Sequence, residues 1–500
     1  MSTRLLIPIV LIVAAMGGGV WLVTSGALDS ERDVTTNSDV AYEHYLDGRA
    51  HLERYAFEDA IEAYQAAAAA DTNFAMAYLG LGRAQARLGR TVLARVSMKK
   101  AFDKREHASE LERLWIERNE AAVSRKFEVA ASITDDLVSR FGDHPWVLRL
   151  QGDIAREEQR LADAVEFYRR GLELDHEAVD LHNLLGYAYL AMGKYEEAIQ
   201  SLERYAFYAP DQANPHDSLG EAYLATGRYD DATQEFLTAL ELDPAFLWSA
   251  LHLADVLTVT GQIDRAHRIL DDYEELMLER GWSDQLALAR IMVDMYSEQW
   301  TSLIPRANEL LRDVEIMSKP SELMVFAFFA RTMAQLELGD LDAATASLDQ
   351  LTDTTEKFFA SLSQYPWYQK AEAINRALVN ARFARAQGRP EEGIEELATA
   401  IADSDASPHR LAFFRYHLAL GQYDAGLYED AAATAMTALE KIPTLPNLNF
   451  VAAMAKVKLG EREEALDHLR VYLEVMRRAD EGHPGVARAT RMFKRLVPRS

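Results

Sequence analysis

Apolar residues recur at intervals of three to four positions along most of the chain, in short segments that polar turns separate. Leu181, Leu185 and Tyr189 fall on one side of such a segment, and Ala198 and Leu202 continue the pattern in the next. A spacing of this kind predicts amphipathic helices, each with one apolar face. Neither helix of a pair can bury its apolar face alone, so the pattern also predicts that neighbouring helices stack.

Small residues mark a second, longer period of 34 residues. A small side chain lets two helix axes approach where they cross, and a glycine ends a helix at little cost in the left-handed conformation. Pro210 and Pro244 cannot continue a helix, so each unit ends there as a pair of helices, helix A and helix B. The alanines and glycines that keep this spacing are Ala130, Ala164, Ala198, Ala232 and Ala266, then Gly152, Gly186 and Gly220, and then Gly193, Gly227 and Gly261.

Two of the units read NLLGYAYLAMGKYEEAIQSLERYAFYAPD and HDSLGEAYLATGRYDDATQEFLTALELDP. They resemble the tetratricopeptide repeat, with a small residue in helix A, a glycine turn, an alanine in helix B and a proline at the end. The same register along the chain gives twelve units, which start at residues 41, 75, 111, 145, 179, 213, 247, 284, 325, 374, 412 and 446. The resemblance implies an all-α fold, a right-handed α-solenoid of about twelve helical hairpins.

Departures from the repeat divide the chain further. Pro305 falls inside a predicted helix B and distorts that hairpin, whereas the stretch before residue 374 is too aromatic for a solvated loop. The basic C-terminal segment either caps the solenoid with its polar face or is attracted to an anionic surface. The predicted segments are a first repeat block at 41–280, a distorted hairpin and one repeat at 281–358, an aromatic insertion at 359–373, a last repeat block at 374–479 and a basic capping helix at 480–500.

The N-terminal segment is apolar from Leu5 to Val23, and a single arginine precedes it. Its 19 residues would form roughly 28 Å of helix, close to the ~30 Å thickness of a hydrocarbon core. We therefore predict a membrane anchor at 1–23, a polar tether at 24–40 and a body on the periplasmic side of a bacterial-type inner membrane. The alternative is a signal peptide that is cleaved after Ala27, because small residues precede that bond.

The charge and the missing residue types exclude several functions. The chain has 79 acidic and 53 basic residues, a formal net charge of −26, which argues against nucleic acid as a partner. It has no cysteine, which excludes disulfides, thiolate metal sites and cysteine nucleophiles. It also lacks a G-x-S-x-G nucleophile motif and an H-E-x-x-H metal motif. We therefore expect no enzyme activity, no cofactor, no metal and no small-molecule substrate.

His182 and His216 lie at equivalent positions one repeat apart. Stacked imidazoles would suit a row of metal ligands. The same position in this kind of repeat normally packs an aromatic ring or a leucine, so we interpret both histidines as packing residues.

The resemblance also implies which residues meet a ligand, because helix A lines the concave groove in this family. Its second, fifth, ninth and twelfth residues usually face the ligand. Acidic and amide groups at these positions suit an extended protein segment that carries arginine or lysine, and the alternative is a solvated acidic surface without a partner. In the middle repeats the register selects Asp153, Asn183, Tyr187, Asn214, Asp217, Glu221, Trp248 and Asp255.

The same register in the later repeats selects apolar residues. A groove of this composition would bind the amphipathic helix of a partner if it is open. The alternative is that the insertion, which carries Tyr365, Trp367 and Tyr368, fills it. The selected residues are Phe326, Phe329, Met333, Phe413, Tyr416, Tyr423, Phe450 and Met454.

These patterns predict a membrane-tethered scaffold or adaptor that binds protein partners through its concave groove, in the assembly or stabilisation of an envelope membrane complex. Two alternatives stay open. The protein is a permanent structural subunit of a large membrane complex, or it is a soluble periplasmic binding protein released by cleavage.

Overall fold

The computed structural model describes residues 33–497, apart from residues 54–55, 177, 316–320, 361–365, 405 and 407. All regular secondary structure in these ranges is helical, so the predicted all-α fold is confirmed. The predicted anchor from Leu5 to Val23, together with the first part of the tether, lies outside the described residues. Within the described ranges, no helix is long and apolar enough to cross a lipid bilayer.

The chain divides into two compact units, one ending at Gln151 and the other beginning at Gly152. The boundary falls inside a helix, away from the limits of the repeat blocks that the sequence predicts. The first unit contains helices α1 (Asp39–Glu53), α2 (Phe57–Ala70), α3 (Ala75–Arg87), α4 (Thr91–Lys104), α5 (Glu110–Val123) and α6 (Phe127–Phe141), and the boundary lies within α7 (Pro145–Glu157).

The second unit contains the remaining helices. In its first half these are α8 (Leu161–Leu174), α9 (Asp180–Ala191), α10 (Tyr195–Tyr208), α11 (Ala213–Ala225), α12 (Tyr229–Leu242), α13 (Leu247–Val259), α14 (Ile263–Asp272), α15 (Glu274–Glu279), α16 (Ser283–Tyr296) and α17 (Trp300–Glu315). They are followed by α18 (Glu322–Glu337), α19 (Leu341–Ala360), α20 (Pro366–Ala386), α21 (Glu391–Ala402), α22 (Pro408–Asp424), α23 (Tyr428–Leu439), α24 (Pro446–Leu459), α25 (Arg462–Val475) and α26 (Pro484–Leu496).

Helices pair into hairpins with the predicted register. The twelve predicted helices A correspond to α1, α3, α5, α7, α9, α11, α13, α16, α18, α20, α22 and α24, and each begins within eight residues of its predicted start. The largest difference is at α20, which starts at Pro366 instead of residue 374. Residues 366–373 of the predicted insertion therefore lengthen a helix A, while Tyr365 and the side chains of Trp367 and Tyr368 lie outside the described part of the chain.

Close helix crossings explain the small residues of the repeat. A Cβ atom added at Gly186 would lie 2.5 Å from Leu202 Cγ, and one added at Gly220 would lie 2.5 Å from Phe236 Cε1. Ala198, which faces the same crossing from helix B, is fully buried. Interiors are packed too tightly to admit an extra methyl group at such distances, so these positions require glycine or alanine.

The turn between helix A and helix B requires a left-handed residue even where the sequence has no glycine. Gly193 and Gly227 have φ values of 69° and 74°. Arg125, Gln159 and Glu298 take the same place in other hairpins with φ values of 58°, 61° and 59°. The left-handed conformation is unfavourable for a residue with a Cβ atom, so the packing of these hairpins maintains the turn without the residue that suits it.

The hairpin formed by α16 and α17 departs most from the repeat. Pro305 lies inside α17, as predicted, and the helix continues on both sides of it. The two helices are joined by a fully buried carboxylate: Asp294 accepts hydrogen bonds from Ser302 Oγ at 2.9 Å and from Arg306 Nε at 2.7 Å. Glu298 forms the left-handed turn of this hairpin, and Ser302 and the partly exposed Arg306 hold the buried Asp294 across it.

Candidate functional site

Seven of the eight predicted groove residues of the middle repeats lie on α9, α11 and α13, three consecutive helices A. The contacts between these helices join a residue of one repeat to a residue of the next. Tyr187 of α9 donates a hydrogen bond to Glu221, and its hydroxyl lies 3.2 Å from Ser218 Oγ, both on α11. The repeat spacing thus brings residues about one repeat apart in sequence into direct contact.

Asp217 makes the next set of contacts, from α11 to α13. Its Oδ1 atom accepts a hydrogen bond from Ser249 Oγ at 2.6 Å and lies 3.0 Å from His252 Nδ1. The other ring nitrogen of His252, Nε2, lies 3.7 Å from Glu221 Oε1. One imidazole is therefore held between two carboxylates. We call Tyr187, Asp217, Glu221, His252 and Asp255 the acidic cluster.

The surroundings of His252 favour its charged form. Burial alone would lower the pKa of His252, but the hydrogen bond to Asp217 and the charges of Asp217, Glu221 and Asp255 outweigh it and raise the pKa to about 9. Burial, with a smaller contribution from Asp217, raises the pKa of Glu221. At neutral pH the histidine is therefore an imidazolium.

Asp255 extends the acidic cluster along α13. Its surface is exposed to solvent, yet protein atoms crowd the groove around it and, with the charge of Glu221, raise the pKa of Asp255 to about 6. The carboxyl is thus mostly ionised at neutral pH. Three carboxylates then face one imidazolium, and the acidic cluster keeps a net negative charge.

Asp217, Glu221 and His252 also have the residue types of a metal site, since their ligand atoms lie within 4.8 Å of one another. The orientation of the imidazole argues for another interpretation. Both ring nitrogens face carboxylate oxygens, as a protonated histidine requires. In this structure the three side chains are therefore described as an imidazolium held between two carboxylates.

Not all of the predicted groove residues join the acidic cluster. Asp153 of α7 accepts a hydrogen bond from Tyr168 Oη of α8 at 2.8 Å, within one hairpin. Asn214 is buried, and its Nδ2 atom donates to Tyr205 Oη of the preceding helix B at 2.8 Å. Asn183 is buried as well, and its Oδ1 atom has no hydrogen-bond partner among the described residues.

Trp248 is the exposed member of the predicted groove. Its side chain is 47% exposed, its ring lies 4.7 Å from that of Trp282, and it stacks near His252 at 6.2 Å. The ring borders the acidic cluster and leaves a face open to solvent. Aromatic faces attract cations, so this position adds to what the carboxylates offer a positively charged ligand.

The eight apolar residues predicted for the later repeats are buried or half-buried in the second unit. Met333 is almost fully buried. Phe413 packs against Tyr296 of α16, with ring centroids 6.1 Å apart. Phe450 packs against Tyr472 at 5.2 Å. The remaining residues of this set, Phe326, Phe329, Tyr416, Tyr423 and Met454, are each half-buried.

A second buried histidine lies among these later helices, in a basic environment. Arg382 Nη1 of α20 lies 3.0 Å from His417 Nδ1 of α22, and Arg382 also donates to Glu337 at 2.5 Å. Burial, followed by the charges of Arg382 and Arg385, lowers the pKa of His417 well below its usual value. His417 is therefore neutral at neutral pH.

Sequence reasoning missed His252, Ser249 and His417. His252 and His417 are the sixth residues of the units that start at 247 and 412, whereas the register used for the prediction selects the second, fifth, ninth and twelfth. The two histidines that were singled out lie elsewhere. His182 stacks on Tyr208 at 5.6 Å, and His216 Nδ1 lies 2.7 Å from Glu235 Oε2.

Models of the tetratricopeptide repeat match four stretches of the chain. Two models described as tetratricopeptide repeat match residues 45–101 and 183–245 and residues 223–277, and one described as TPR repeat matches residues 152–193. These stretches of the chain are tetratricopeptide repeats. Repeats of this family generally bind protein partners, and no curated protein matches this chain.

Solved structures with similarity to this chain share little sequence with it. One, described as the APC/C hetero-tetramer Cut9–Hcn1, is 12% identical over 92% of this chain and 84% of the other, with a TM-score of 0.43. A tetratricopeptide repeat protein from Parabacteroides merdae is 16% identical over 56% and 93% of the two chains, with a TM-score of 0.34. TTC0263, a thermophilic TPR protein from Thermus thermophilus, is 21% identical over 37% and 98%, with a TM-score of 0.32. Likenesses this low carry no argument about partners.

Proposed function

We propose that this protein is a scaffold that binds a basic, extended segment of a partner protein at the acidic cluster. The observation that carries the proposal is the arrangement of Asp217, Glu221 and Asp255 on two neighbouring helices A, with a net negative charge that His252 does not cancel. Tetratricopeptide repeats generally bind proteins, and charge complementarity is what a row of carboxylates offers a partner.

The carboxylates of the acidic cluster and the neighbouring Trp248 each have a role toward a partner arginine. A guanidinium forms paired hydrogen bonds with carboxylates, and Glu221 and the exposed Asp255 are the carboxylates nearest to solvent. Asp217 is committed to Ser249 and His252, so its role is to hold the imidazolium in place. The open face of Trp248 provides a second attraction for a cation.

We place the partner at the acidic cluster and not in the later repeats. There, the aromatic residues selected from the sequence pack against their own unit, as Phe413 does against Tyr296 and Phe450 against Tyr472. Buried and half-buried rings offer less free apolar area than an open groove for an amphipathic helix would need. The scaffold role requires no catalytic step and no cofactor.

The apolar segment from Leu5 to Val23 supports a further part of the proposal, which is a tether to the inner membrane with the repeats on its outer face. Confinement to a thin layer raises the effective concentration of the scaffold for membrane proteins. This suits a role in the assembly or stabilisation of an envelope complex. N-terminal sequencing of the mature protein tests the tether, because a chain that starts after Ala27 would mean cleavage and a soluble protein.

The binding proposal is tested with a fluorescein-labelled peptide of alternating arginine and glycine, measured by fluorescence anisotropy. Glu221→Gln with Asp255→Asn should weaken binding about tenfold, because two ionised partners are lost. The matched control is Glu196→Gln with Asp231→Asn, which removes two exposed carboxylates elsewhere. Equal loss in both variants, or no loss in either, would contradict a site at the acidic cluster.

A further inference from the structure

Three consecutive turns of the middle repeats are covered by a distant part of the same unit. The nearest atoms to a Cβ added at these turns belong to Pro408 at Gly193, Thr444 at Gly227 and Met476 at Gly261. At other glycine turns no described atom lies within 4 Å of an added Cβ: Gly89, Gly339, Gly388, Gly426 and Gly460. The covered turns are therefore a distinct set, and their neighbours come from the last repeats.

The covering residues follow the same period as the turns that they cover. Pro408, Ile442 and Met476 are 34 residues apart, as are the three glycines. Ile442 and Met476 come from the segment after a helix B, and Pro408 is the first residue of the helix A that follows such a segment. Successive repeats at the end of the chain thus meet successive repeats in the middle, in register.

Hydrogen bonds join the two sets of repeats at two of these turns. Thr444 Oγ1 donates to the carbonyl oxygen of Gly227 at 2.9 Å. The amide of Asp480 donates to the carbonyl oxygen of Gly261 at 2.9 Å, and Asp480 Oδ2 accepts from the amide of Asp264 at 2.8 Å. We call residues 442–444 and 476–480 the clasp.

Opposite charges add to the clasp. Arg477 forms an ion pair with Asp230 of α12, and Arg478 Nη1 lies 3.2 Å from the same carboxylate. Further along, Arg488 of α26 approaches Glu298 at 3.9 Å. Arginines of the basic C-terminal segment thus pair with acidic residues of the same unit. These pairs are exposed, and exposed ion pairs are weak and screened by salt, so salt weakens the charged part of the clasp, while Ile442 and Met476 form its buried apolar part.

The clasp holds later helices beside the groove that continues from the acidic cluster. Asp255 of α13 is followed by Tyr296 on α16, the next helix A, and Tyr296 meets Phe413 of α22 at 6.1 Å. A segment lying along the helices A beyond Asp255 would meet Phe413. The groove is thus limited at this end by a side chain of the later repeats.

We propose that the clasp is an autoinhibitory contact, held partly by charge, whose opening lengthens the groove available to a partner at the acidic cluster. The consequence for binding rests on the proposed function, whereas the opening itself does not. The two parts are therefore tested separately, the first without any ligand.

The opening is measured as a distance between two spin labels. Because the chain has no cysteine, Lys194→Cys and Lys441→Cys, both at exposed positions beside the covered turns, label two sites and no others. We expect one narrow distance distribution at low salt and an added population of longer distances in molar salt. A distribution that salt does not change would overturn the electrostatic latch.

Two pairs of variants distinguish opening of the clasp from a general loss of stability. Asp230→Lys should add the longer distances at low salt, while Asp231→Lys, which removes the neighbouring pair with Arg228 on the same helix, should not. Gly227→Ala should open the clasp, because the new Cβ would overlap Thr444, while Gly426→Ala strains an uncovered turn equally. Identical distributions within both pairs would overturn the proposal.

A disulfide tests the effect on binding. Asp264→Cys with Asp480→Cys joins two residues that are already hydrogen-bonded and locks the clasp shut. The oxidised protein should bind a long arginine–glycine peptide about tenfold more weakly than the reduced protein, and a short peptide equally well. Equal affinity for the long peptide in both states would overturn autoinhibition. If no peptide binds to any variant, the proposed function fails while the spin-label result stands.

Discussion

His252 and His417 occupy the same place in two repeats, but His252 is charged and His417 is neutral. Each is the sixth residue of its predicted unit, and each contacts a residue 35 positions earlier in the chain. For His252 that residue is Asp217, and the pKa rises to about 9. For His417 it is Arg382, and the pKa falls well below its usual value, with burial as the larger cause.

The difference teaches that the repeat specifies which positions meet but not which charge they carry. A hairpin places the sixth residue of helix A against the previous helix A in both cases. At His252 the carboxylate outweighs burial and keeps the imidazole charged, whereas at His417 Arg382 adds to burial, which is the larger cause, and the ring is neutral. The charge of a groove in this protein is therefore a property of residue pairs one repeat apart.

The largest expected effect comes from removing Asp217, the acidic partner of His252. Asp217→Asn should lower the free energy of unfolding by about 3 kcal/mol, because it leaves a buried imidazolium without its main counter-charge. Urea unfolding measures this loss. Asp231→Asn, on the surface of α12, is the control and should cost less than about 0.5 kcal/mol. If both variants were equally stable, Asp217 and His252 would not be coupled.

The pH dependence of stability should run in opposite directions for the two histidines. The folded pKa of His252 is about 9, above the ~6.5 of an unfolded chain. Its contribution is therefore complete below about pH 6.5 and is lost as the pH rises through 9, a change of about 3 kcal/mol. His252→Gln should flatten this alkaline decline, which urea unfolding at several pH values would show.

For His417 we expect the opposite dependence of stability on pH. Its folded pKa is depressed, so its contribution is complete above the unfolded value of ~6.5 and is lost as the pH falls below that value. His417→Gln should remove this acid-side loss and leave the alkaline decline unchanged. A variant of either histidine that alters both sides of the pH profile would contradict the assignment.

A smaller effect is expected when the basic site loses its counter-charge. Glu337 accepts a hydrogen bond from the buried Arg382 at 2.5 Å and is itself partly exposed. Glu337→Gln should lower the free energy of unfolding by about 1–2 kcal/mol. The exposed Glu391→Gln is the control. Equal thermal melting of the two variants would show that Arg382 does not depend on Glu337.

The smallest expected effects come from removing the second charged neighbour of each histidine, Glu221 or Arg385. They test most directly whether the two imidazoles lie in electrostatic environments of opposite sign. Glu221→Gln should lower the pKa of His252, and Arg385→Gln should raise the pKa of His417, each by about one unit or less. NMR titration of the two imidazoles measures both. Shifts of the same sign would contradict opposite electrostatic environments.

The fold follows from the sequence because its period is long and regular. The close approach of Gly186 to Leu202 and of Gly220 to Phe236 shows why the small residues recur. The predicted start of α20 is wrong by eight residues, because the helix begins at Pro366 and not at residue 374. There an extended helix A replaces the expected insertion, and no change in apolar pattern marks its start.

The candidate site was only partly predictable. The fifth and ninth positions led to Asp217, Glu221 and Tyr187, which do meet. The second position led to Asn214, which lies outside the acidic cluster. Its side chain donates a hydrogen bond to Tyr205 of the preceding helix B. His252 lies one residue beyond the selected register. The clasp could not be read from the chain, because its partners are more than 200 residues apart.

The contacts of Gly227 with Thr444 and of Gly261 with Asp480 change how the second unit should lose its structure. In an open array of repeats each hairpin touches its neighbours alone, so the ends fray first and stability adds up along the chain. Here Val475, at the end of α25, packs into the same apolar core as Leu257 and Leu270 of the middle repeats. At low salt, where the clasp is closed, fraying from the C-terminus would expose part of that core, so the last hairpins and the middle ones should melt together as one cooperative block.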